Sequence, residues 1–326
     1  MSRRPFTRRR FLGTTAAASA ATIGFPYIRT SHAAGSLALG FWDHWVPGAN
    51  DTLTKLCQDW GKKEKVDVKI DYITSQGNKN MLTITAESQA RSGHDILAHP
   101  AWYALTYARQ LEPLDDVMNP LIKQYGKVAS AAEFLCKSGG KWIAVPAVTG
   151  TQVKPPCARL DLFKQHAGID ILSMYPVNKA PTKEADNWTW ETMVVAAEKL
   201  KKAGSPIGLG IGQTTDSIDW VGAMFHSFGA DLVDAKGHAN VKTDAVKQVL
   251  DYSKRLVAAM PPDVFAWDDA SNNKYLISGQ GSLIMNPPSA WAVAKRDAPQ
   301  VAEQCWTHGF PSGPKGRFAP FGISNV

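Results

Sequence analysis

The sequence lacks the short motifs that mark most metal proteins and cofactor-dependent enzymes. Its four cysteines, Cys57, Cys136, Cys157 and Cys305, are far apart, form no Cys-x-x-Cys pair and have no histidine nearby at metal-ligand spacing. No dinucleotide fingerprint, Gly-x-Ser-x-Gly elbow or His-Glu-x-x-His motif occurs either. We therefore expect no metal site, no cofactor and no catalytic residue of these classes.

The chain also lacks an excess of charge once its N-terminal segment is set aside. The formal net charge is +7, but residues 1–33 contain six arginines and no acidic residue. Of the 36 basic residues in the whole chain, 30 therefore remain beyond this segment, against 29 acidic residues. A nearly neutral surface has no field that would attract a polyanion, so the sequence excludes nucleic acid as a partner.

No apolar run is long enough to span a membrane. The run over residues 11–28 is rich in Ala and Thr, and it is shorter than the ~20 strongly apolar residues that a spanning helix needs. With its basic leader it reads as an export signal, in which Arg8 and Arg9 precede a Phe-Leu pair as in the twin-arginine consensus. Small residues at 31–33 predict cleavage there, and we expect export through the twin-arginine translocase.

The state of the four cysteines stays open at this stage. In an oxidising periplasm they can form up to two disulfides. Twin-arginine substrates, however, fold before export in a reducing compartment, so buried free thiols agree equally well with the sequence.

Short apolar segments alternate with helical patterns in the first part of the chain. Residues 37–41 predict a buried strand, a helix follows with Asp51 as its N-cap, and the alternation over residues 66–72 predicts a second strand. A further helix and a short strand follow at 81–91 and 95–98. Such an alternation builds a mostly parallel sheet with helices on its faces.

A turn and a strand at residues 140–146 precede a segment with helices of its own, and we place a lobe boundary here. One helix is predicted over residues 190–203, with Thr189 as N-cap and Gly204 as its stop. Further helices are predicted at 218–228 and 243–259. The sequence therefore predicts two α/β lobes.

Eight short segments, spread over most of the mature chain, carry a family resemblance in their order. They are residues 92–96 (Ser-Gly-His-Asp-Ile), 111–116 (Leu-Glu-Pro-Leu-Asp-Asp), 140–146, 161–168, 188–200 (beginning Trp-Thr-Trp-Glu), 229–237, 278–286 and 309–316. Each segment alone is weak. Together they resemble the extracellular solute-binding proteins of ABC importers, the family that includes the maltose-binding proteins.

The resemblance implies an α/β, two-lobe periplasmic-binding-protein fold with mixed, mostly parallel sheets, helices on both faces and a hinge between the lobes. It implies a signal peptide at residues 1–33, a first lobe at 34–146, a second lobe at 147–310 and a hinge return toward the first lobe at 311–326. The implied function is to capture a carbohydrate or polyol in the periplasm and to deliver it to the membrane permease of an ABC importer.

The sequence departs from the family pattern in three places. His94 stands where the family often has Pro, and Ser289 stands where close maltose-binding relatives have a sugar-stacking Trp, which disfavours maltose itself. Family members also continue through further helices beyond the position of Val326. We therefore expect a C-terminally truncated chain of low stability.

Ligand contacts are expected on loops at the carboxyl ends of strands that face the cleft. Sugars present hydroxyls at an edge and C–H groups on a face, so their sites need polar side chains beside aromatic rings. The candidate ligand-binding residues are Trp42, Asp43, His44, Trp45, Asn78, His99, Trp102, Asp219, Trp220, Asn286 and Trp291.

Structural roles compete with these assignments. Asp43 can cap a helix, His44 and Trp45 can be partly buried rings, and Trp220 can anchor its helix in the core. We assign five other tryptophans to packing, namely Trp60, Trp142, Trp188, Trp190 and Trp306. Trp267 and Trp291 stay open between the cleft and the core beneath it.

Two other functions remain as alternatives. The first is a twin-arginine-exported enzyme, although no motif in the body of the chain supports one. The second is a binder of another small solute. Scattered tyrosines disfavour iron, and a polyamine binder needs several acidic residues in the cleft loops, where the sequence offers mainly Asp43 and Asp219.

Overall fold

The computed structural model describes residues 35–100, 102–146, 154–286, 288–320 and 324–326. The export signal predicted at residues 1–33 lies outside these ranges. Within them, none of the helices combines the length and the apolar character needed to cross a bilayer.

The first sheet is parallel and belongs to the first lobe. Strand β1 (Ser36–Trp42) pairs along its full length with β2 (Asp67–Ile73), from Ser36 opposite Asp67 to Trp42 opposite Ile73. On its other side β1 pairs with β3 (Ile96–Leu97). Because the strands are parallel, the loops after β1, β2 and β3 all leave at the same edge of the sheet.

Two helices connect these strands, α1 (Ala49–Glu64) and α2 (Lys79–Ala90). The prediction of Asp51 as N-cap is wrong: the helix begins at Ala49, after Gly48 in the left-handed region at a φ of 78°. Glycine adopts this conformation without a steric cost, so the helix can begin three residues earlier than an Asp51 cap would allow. Asp51 lies in the first turn instead, where its negative charge interacts favourably with the positive end of the helix dipole.

The remainder of the first lobe is made of short elements around a small core. These are β4 (His99–Pro100), α3 (Tyr103–Thr106), α4 (Asp115–Tyr125), α5 (Ser130–Cys136), β5 (Lys137–Ser138) and β6 (Lys141–Trp142). Met118 and Trp142 are at the centre of that core.

The second lobe has an antiparallel sheet, in contrast to the first. Strand β7 (Pro156–Arg159) lies between β8 (Leu283–Met285) and β9 (Cys305–Thr307) and runs antiparallel to both. A short hairpin, β10 (Ser312–Gly313) with β11 (Gly316–Arg317), follows β9. The last strand, β12 (Ser324–Asn325), pairs with β4 and brings the chain back to the first lobe. The expected mixture of parallel and antiparallel sheets is confirmed, but the expectation that the sheets are mostly parallel is wrong: among the described strands only β2 and β3 pair in parallel, both with β1, and the other pairs are antiparallel.

Helices surround this second sheet. In chain order they are α6 (Leu160–Leu162), which continues as a π-helix over Phe163–Ala167, α7 (Ile171–Met174), α8 (Trp190–Lys202), α9 (Thr215–Phe228), α10 (Asp244–Ala258), α11 (Ser271–Ile277), α12 (Ser289–Asp297) and α13 (Pro299–Ala302), with 3-10 turns at Lys183–Asn187 and Pro262–Ala266.

The three longest helices of this lobe begin with the same N-cap chemistry. The hydroxyl oxygens of Thr189, Thr214 and Thr243 each accept a hydrogen bond from the backbone N–H three residues later, at 3.1 to 3.2 Å. A threonine in this position satisfies an N–H that has no partner within the helix. The predicted cap at Thr189 is confirmed.

The main core lies in the second lobe and is rich in tryptophan. Trp188 and Trp190 are fully enclosed there with Phe163, and Trp267 belongs to the same cluster. The packing roles of Trp142, Trp188 and Trp190 are confirmed, and half-buried Trp306 packs against the cluster. The packing role given to Trp60 is wrong, because its side chain is 46% exposed on α1.

The four cysteines are free thiols. Cys136, Cys157 and Cys305 are buried, and Cys57 is half-buried. The Sγ of Cys136 donates to Asn325 Oδ1 at 3.0 Å, which ties α5 to the returning strand β12. Burial raises the pKa of Cys136 to about 12, so this thiol is protonated and able to donate at neutral pH.

Candidate ligand-binding cleft

A cavity of about 940 Å³ lies between the two lobes. On the first-lobe side it is lined by the loops that leave the parallel sheet after β1 and β2 and by strand β4. On the second-lobe side it is lined by the first turn of α9, by residues just before and within α11, and by Asn286 after β8. Its volume falls within the range of small-molecule sites.

Aromatic rings form part of the first-lobe wall. Trp42 is the last residue of β1, and its ring lies 4.7 Å from the His44 ring between centroids. Trp45 follows in the same loop, and all three side chains line the cavity. Burial lowers the pKa of His44, and its Nδ1 accepts a hydrogen bond from the Val46 N–H at 2.9 Å. His44 is therefore neutral at pH 7.

Asp43 is the exception in this loop, because its side chain is exposed and outside the lining. Its Oδ1 accepts a hydrogen bond from Asn50 Nδ2 at 2.7 Å, while Asn50 Oδ1 accepts one from the His44 N–H at 3.0 Å. Asn50 lines the cavity. Asp43 thus fixes Asn50 and the loop.

His99 presents an unpaired nitrogen. Its side chain is buried and contributes to the lining. Nδ1 lies 2.9 Å from the Leu97 carbonyl oxygen, which can only accept, so Nδ1 carries the proton and Nε2 is an acceptor. Nε2 is enclosed and has no hydrogen-bond partner among the described residues. Burial lowers the pKa of His99, which keeps Nε2 available as an acceptor.

The second-lobe wall contains a lysine held between two aspartates. The Nζ of Lys154 lies 2.7 Å from Asp216 Oδ1 and 2.6 Å from Asp219 Oδ2, and all three side chains are at most 12% exposed. Burial opposes a charge here, but the two carboxylates outweigh it and raise the pKa of Lys154. Burial also raises the pKa of Asp216 to about 6, although Lys154 opposes that shift.

A network of amides and a third carboxylate surrounds this group. Asp269 accepts hydrogen bonds from the Thr215 hydroxyl at 2.8 Å and from the Asp216 N–H at 3.1 Å. Asp216 Oδ2 accepts from Asn272 Nδ2 at 2.8 Å. Asn286 is buried, and its Nδ2 lies 2.6 and 2.7 Å from the side-chain oxygens of Asn273 and Asn272. The wall is therefore polar and preorganised.

Six of the eleven predicted residues line the cavity, namely Trp42, His44, Trp45, His99, Asp219 and Asn286. Besides Asp43, four other predicted residues do not line the cavity, and each of them makes contacts elsewhere or lies outside the lining. Trp220 is buried in the core, and its Nε1 donates to the Gly210 carbonyl at 2.9 Å. Trp291 donates to the Ala302 carbonyl and lies beside Lys295. Trp102 lies beside Tyr103, and Asn78 adopts a left-handed conformation just before α2.

Lys154, Asp216 and Asp269 are the residues that sequence reasoning missed. A signal did exist for Asp216, because two aspartates three residues apart at the start of α9 share one face of the helix. Lys154 and Asp269 come from distant parts of the chain and carry no local motif. Within the described ranges, no set of three or more His, Cys, Asp or Glu side chains is arranged to hold a metal ion.

Two hydrogen bonds join the lobes beside the cavity, and we call this pair the clasp. The Gly77 N–H donates to Asp268 Oδ2 at 2.9 Å, and Lys274 Nζ donates to Gln76 Oε1 at 3.0 Å. Gly77 has a φ of 62°, which a residue with a side chain adopts only with strain. None of these four residues lines the cavity.

Solved structures with the same fold are bacterial solute-binding proteins. Maltose-bound MalE3 of T. maritima has a TM-score of 0.71 at 18% identity, over 90% of this chain and 72% of that one. The GacH receptor of Streptomyces glaucescens has a TM-score of 0.66 at 22% identity, with the same coverages. A solute-binding protein of Agrobacterium vitis S4 with bound D-mannitol has a TM-score of 0.62 at 20% identity, over 90% and 68%. These likenesses confirm the two-lobe fold.

Comparison with curated protein sequences finds no match. The family model of bacterial extracellular solute-binding proteins matches residues 47–305, which is well over half of the chain, and the protein therefore belongs to that family.

Proposed function

We propose that this protein is the solute-binding component of an ABC importer and that it captures a carbohydrate or polyol in the cavity between its lobes. The observation that carries the proposal is the composition of that cavity, in which aromatic rings of one lobe face polar side chains of the other. The bound maltose and D-mannitol of two structural neighbours support this ligand class.

Each part of a sugar has a matching group in the cavity. The C–H face of a pyranose can stack on Trp42 or Trp45, which supply apolar area without a large loss of side-chain entropy. A hydroxyl can donate to His99 Nε2, whose lone pair otherwise stays buried and unsatisfied at a cost of about 1–3 kcal/mol. Asn50 and Asn80 offer further donors and acceptors on the same side.

The proteins of this family are extracellular solute-binding proteins rather than enzymes, in agreement with the expected periplasmic location.

We propose the lobe limits of residues 34–146 and 147–310, with residues 311–326 returning to the first lobe. The pairing of β12 with β4 supports that return. The delivery partner in this proposal is the membrane permease of the importer.

A thermal-shift screen of the mature chain against sugars, polyols, polyamines and metal salts tests the proposal directly. A ligand that binds only the native state raises the unfolding midpoint by mass action. We expect shifts with a subset of sugars or polyols. A screen in which only a polyamine or a metal ion raises the midpoint would contradict the proposed ligand class.

Removing either ring of the first-lobe wall should weaken binding. We expect Trp42→Ala and Trp45→Ala each to raise the dissociation constant for the best sugar of the screen by about tenfold, because about 1.4 kcal/mol of ring contact is lost. Isothermal titration calorimetry measures the effect. Trp60→Ala removes an exposed tryptophan outside the cavity and should leave affinity unchanged. Equal affinities in all three variants would argue against contact between the ligand and the rings of Trp42 and Trp45.

The twin-arginine assignment gives a second prediction. Replacing both Arg8 and Arg9 by lysine should leave unprocessed precursor in the cytoplasm, because the translocase recognises the arginine pair itself rather than its charge. Immunoblots of fractionated cells measure this. The matched control replaces Arg3 and Arg4 by lysine and should be exported normally. Normal export of the first variant would indicate the general secretory route instead.

A further inference from the structure

The charges of the cavity are unbalanced. Its ionisable side chains are three aspartates, one lysine and two histidines: Asp216, Asp219, Asp269, Lys154, His44 and His99. Burial lowers the pKa of both histidines, so neither adds a positive charge at pH 7. With the aspartates ionised, the wall has two more carboxylates than ammonium groups.

Lys154 cannot correct this imbalance, because its single charge is already shared between Asp216 and Asp219. Within the same wall, Asp269 lies close enough to raise the pKa of both other aspartates. Carboxylates that are removed from water without a matching cation carry a large desolvation cost. A positive charge delivered into the cavity would offset that cost.

The hydrogen bonds indicate which carboxylate oxygen can receive it. The oxygens of Asp216 are engaged with Lys154, Asn272 and Asn286. Those of Asp269 are engaged with the first turn of α9. Asp219 uses only Oδ2, toward Lys154, and its Oδ1 has no hydrogen-bond partner among the described residues, although the side chain is only 10% exposed. Asp219 is thus nine-tenths buried, borders the cavity and retains a free acceptor.

We propose that the ligand carries a protonated amine, which binds Asp219 Oδ1, and that the ligand class is therefore an amino sugar or an amino polyol. This inference rests on the proposed function, since it adds a charge to the carbohydrate rather than replacing it. A charge-assisted hydrogen bond between ammonium and carboxylate is about twice as strong as a neutral one. The rings of the first lobe remain available for the sugar face.

A matched pair of probes separates charge from sugar shape. The β-1,4-linked glucosamine disaccharide carries two ionisable amines, and its N-acetylated counterpart has the same backbone without them. Calorimetric titration at pH 7 should give at least tenfold tighter binding of the amine form. In Asp219→Asn, which retains the size of the side chain but not its charge, that preference should fall to about twofold or less. Asp263→Asn, outside the cavity, should preserve it.

Spermidine serves as a third probe, a cation without a sugar ring. Tighter binding of the acetylated disaccharide, or equal binding of the two, would overturn the amine proposal and leave the carbohydrate proposal intact. Binding of spermidine but of neither disaccharide would support the cationic site and contradict the carbohydrate class. Failure of all three probes to bind would overturn the amine proposal, and the carbohydrate proposal would then depend on the thermal-shift screen alone.

Discussion

Replacing Lys154 by methionine is expected to lower the free energy of unfolding by about 3–5 kcal/mol. The substitution leaves Asp216 and Asp219 buried without their shared cation, since among the described residues Lys154 is the basic side chain that pairs with both. Breaking a buried ion pair from one side exposes the full desolvation cost of the other. Methionine has a similar length and no charge, so the loss of packing is small. Urea unfolding of the purified mature chain at pH 7 measures the change.

An exposed lysine provides the matched control for this experiment. Lys247 pairs with Asp251 at 3.0 Å, but its side chain is 79% exposed, and such pairs contribute about 0–1 kcal/mol. Lys247→Met should therefore change stability little. The triple variant that also carries Asp216→Asn and Asp219→Asn should recover part of the loss, because the uncompensated charges are gone. Similar losses for the two lysine variants would show that burial of the network has no energetic role.

Trp188→Ala is expected to cost about 3–5 kcal/mol through the cavity that it leaves. The side chain is fully enclosed, and its ring contacts those of Phe163 and His308 edge to face. Its Nε1 also donates to the Gly309 carbonyl at 3.1 Å, which ties the start of α8 to the segment after β9. Thermal and urea unfolding should both report the loss.

Two further variants define the origin of that loss. Trp188→Phe retains most of the ring contact and loses the hydrogen bond, so its cost should be intermediate. Trp60→Ala removes an equally large but exposed ring and should cost less than about 1 kcal/mol. Equal destabilisation by Trp188→Ala and Trp60→Ala would contradict the assignment of the core to the second lobe.

Local patterns were enough to predict much of the fold. The alternation at 66–72 predicted β2 to within one residue, and Thr189 predicted the start of α8, because both signals depend on neighbours along the chain. The antiparallel second sheet gave no such signal. Its strands are three or four residues long, and β7 is separated from β8 and β9 by more than 100 residues. Such short strands show no clear period, and the sequence does not specify the pairing.

The residues of the cleft also fall into two groups, those that local patterns predict and those that depend on long-range contacts. Parallel strands place the loops that follow each strand at one edge of the sheet. This is why the sequence predicted Trp42, His44, Trp45 and His99 as cleft residues. Trp220 was ambiguous, since a helix presents its residues on different faces and the sequence does not specify which of them packs. The lysine within the carboxylate group was missed because Lys154 meets Asp216 across 62 positions of the chain. Pairing between charges that are far apart along the chain produces no periodic pattern in the sequence.

The clasp separates how tightly the protein binds from what it selects. Its hydrogen bonds, Gly77 to Asp268 and Lys274 to Gln76, hold the lobes together without touching the cavity. They therefore favour this arrangement of the lobes in the ligand-free protein, and if this is the arrangement that binds ligand, the apparent dissociation constant is the intrinsic one divided by the fraction of molecules in it. Any change in the clasp scales the affinity for every ligand by one common factor. The ratio between two ligands is set by the cavity walls alone, so uptake threshold and specificity can evolve independently.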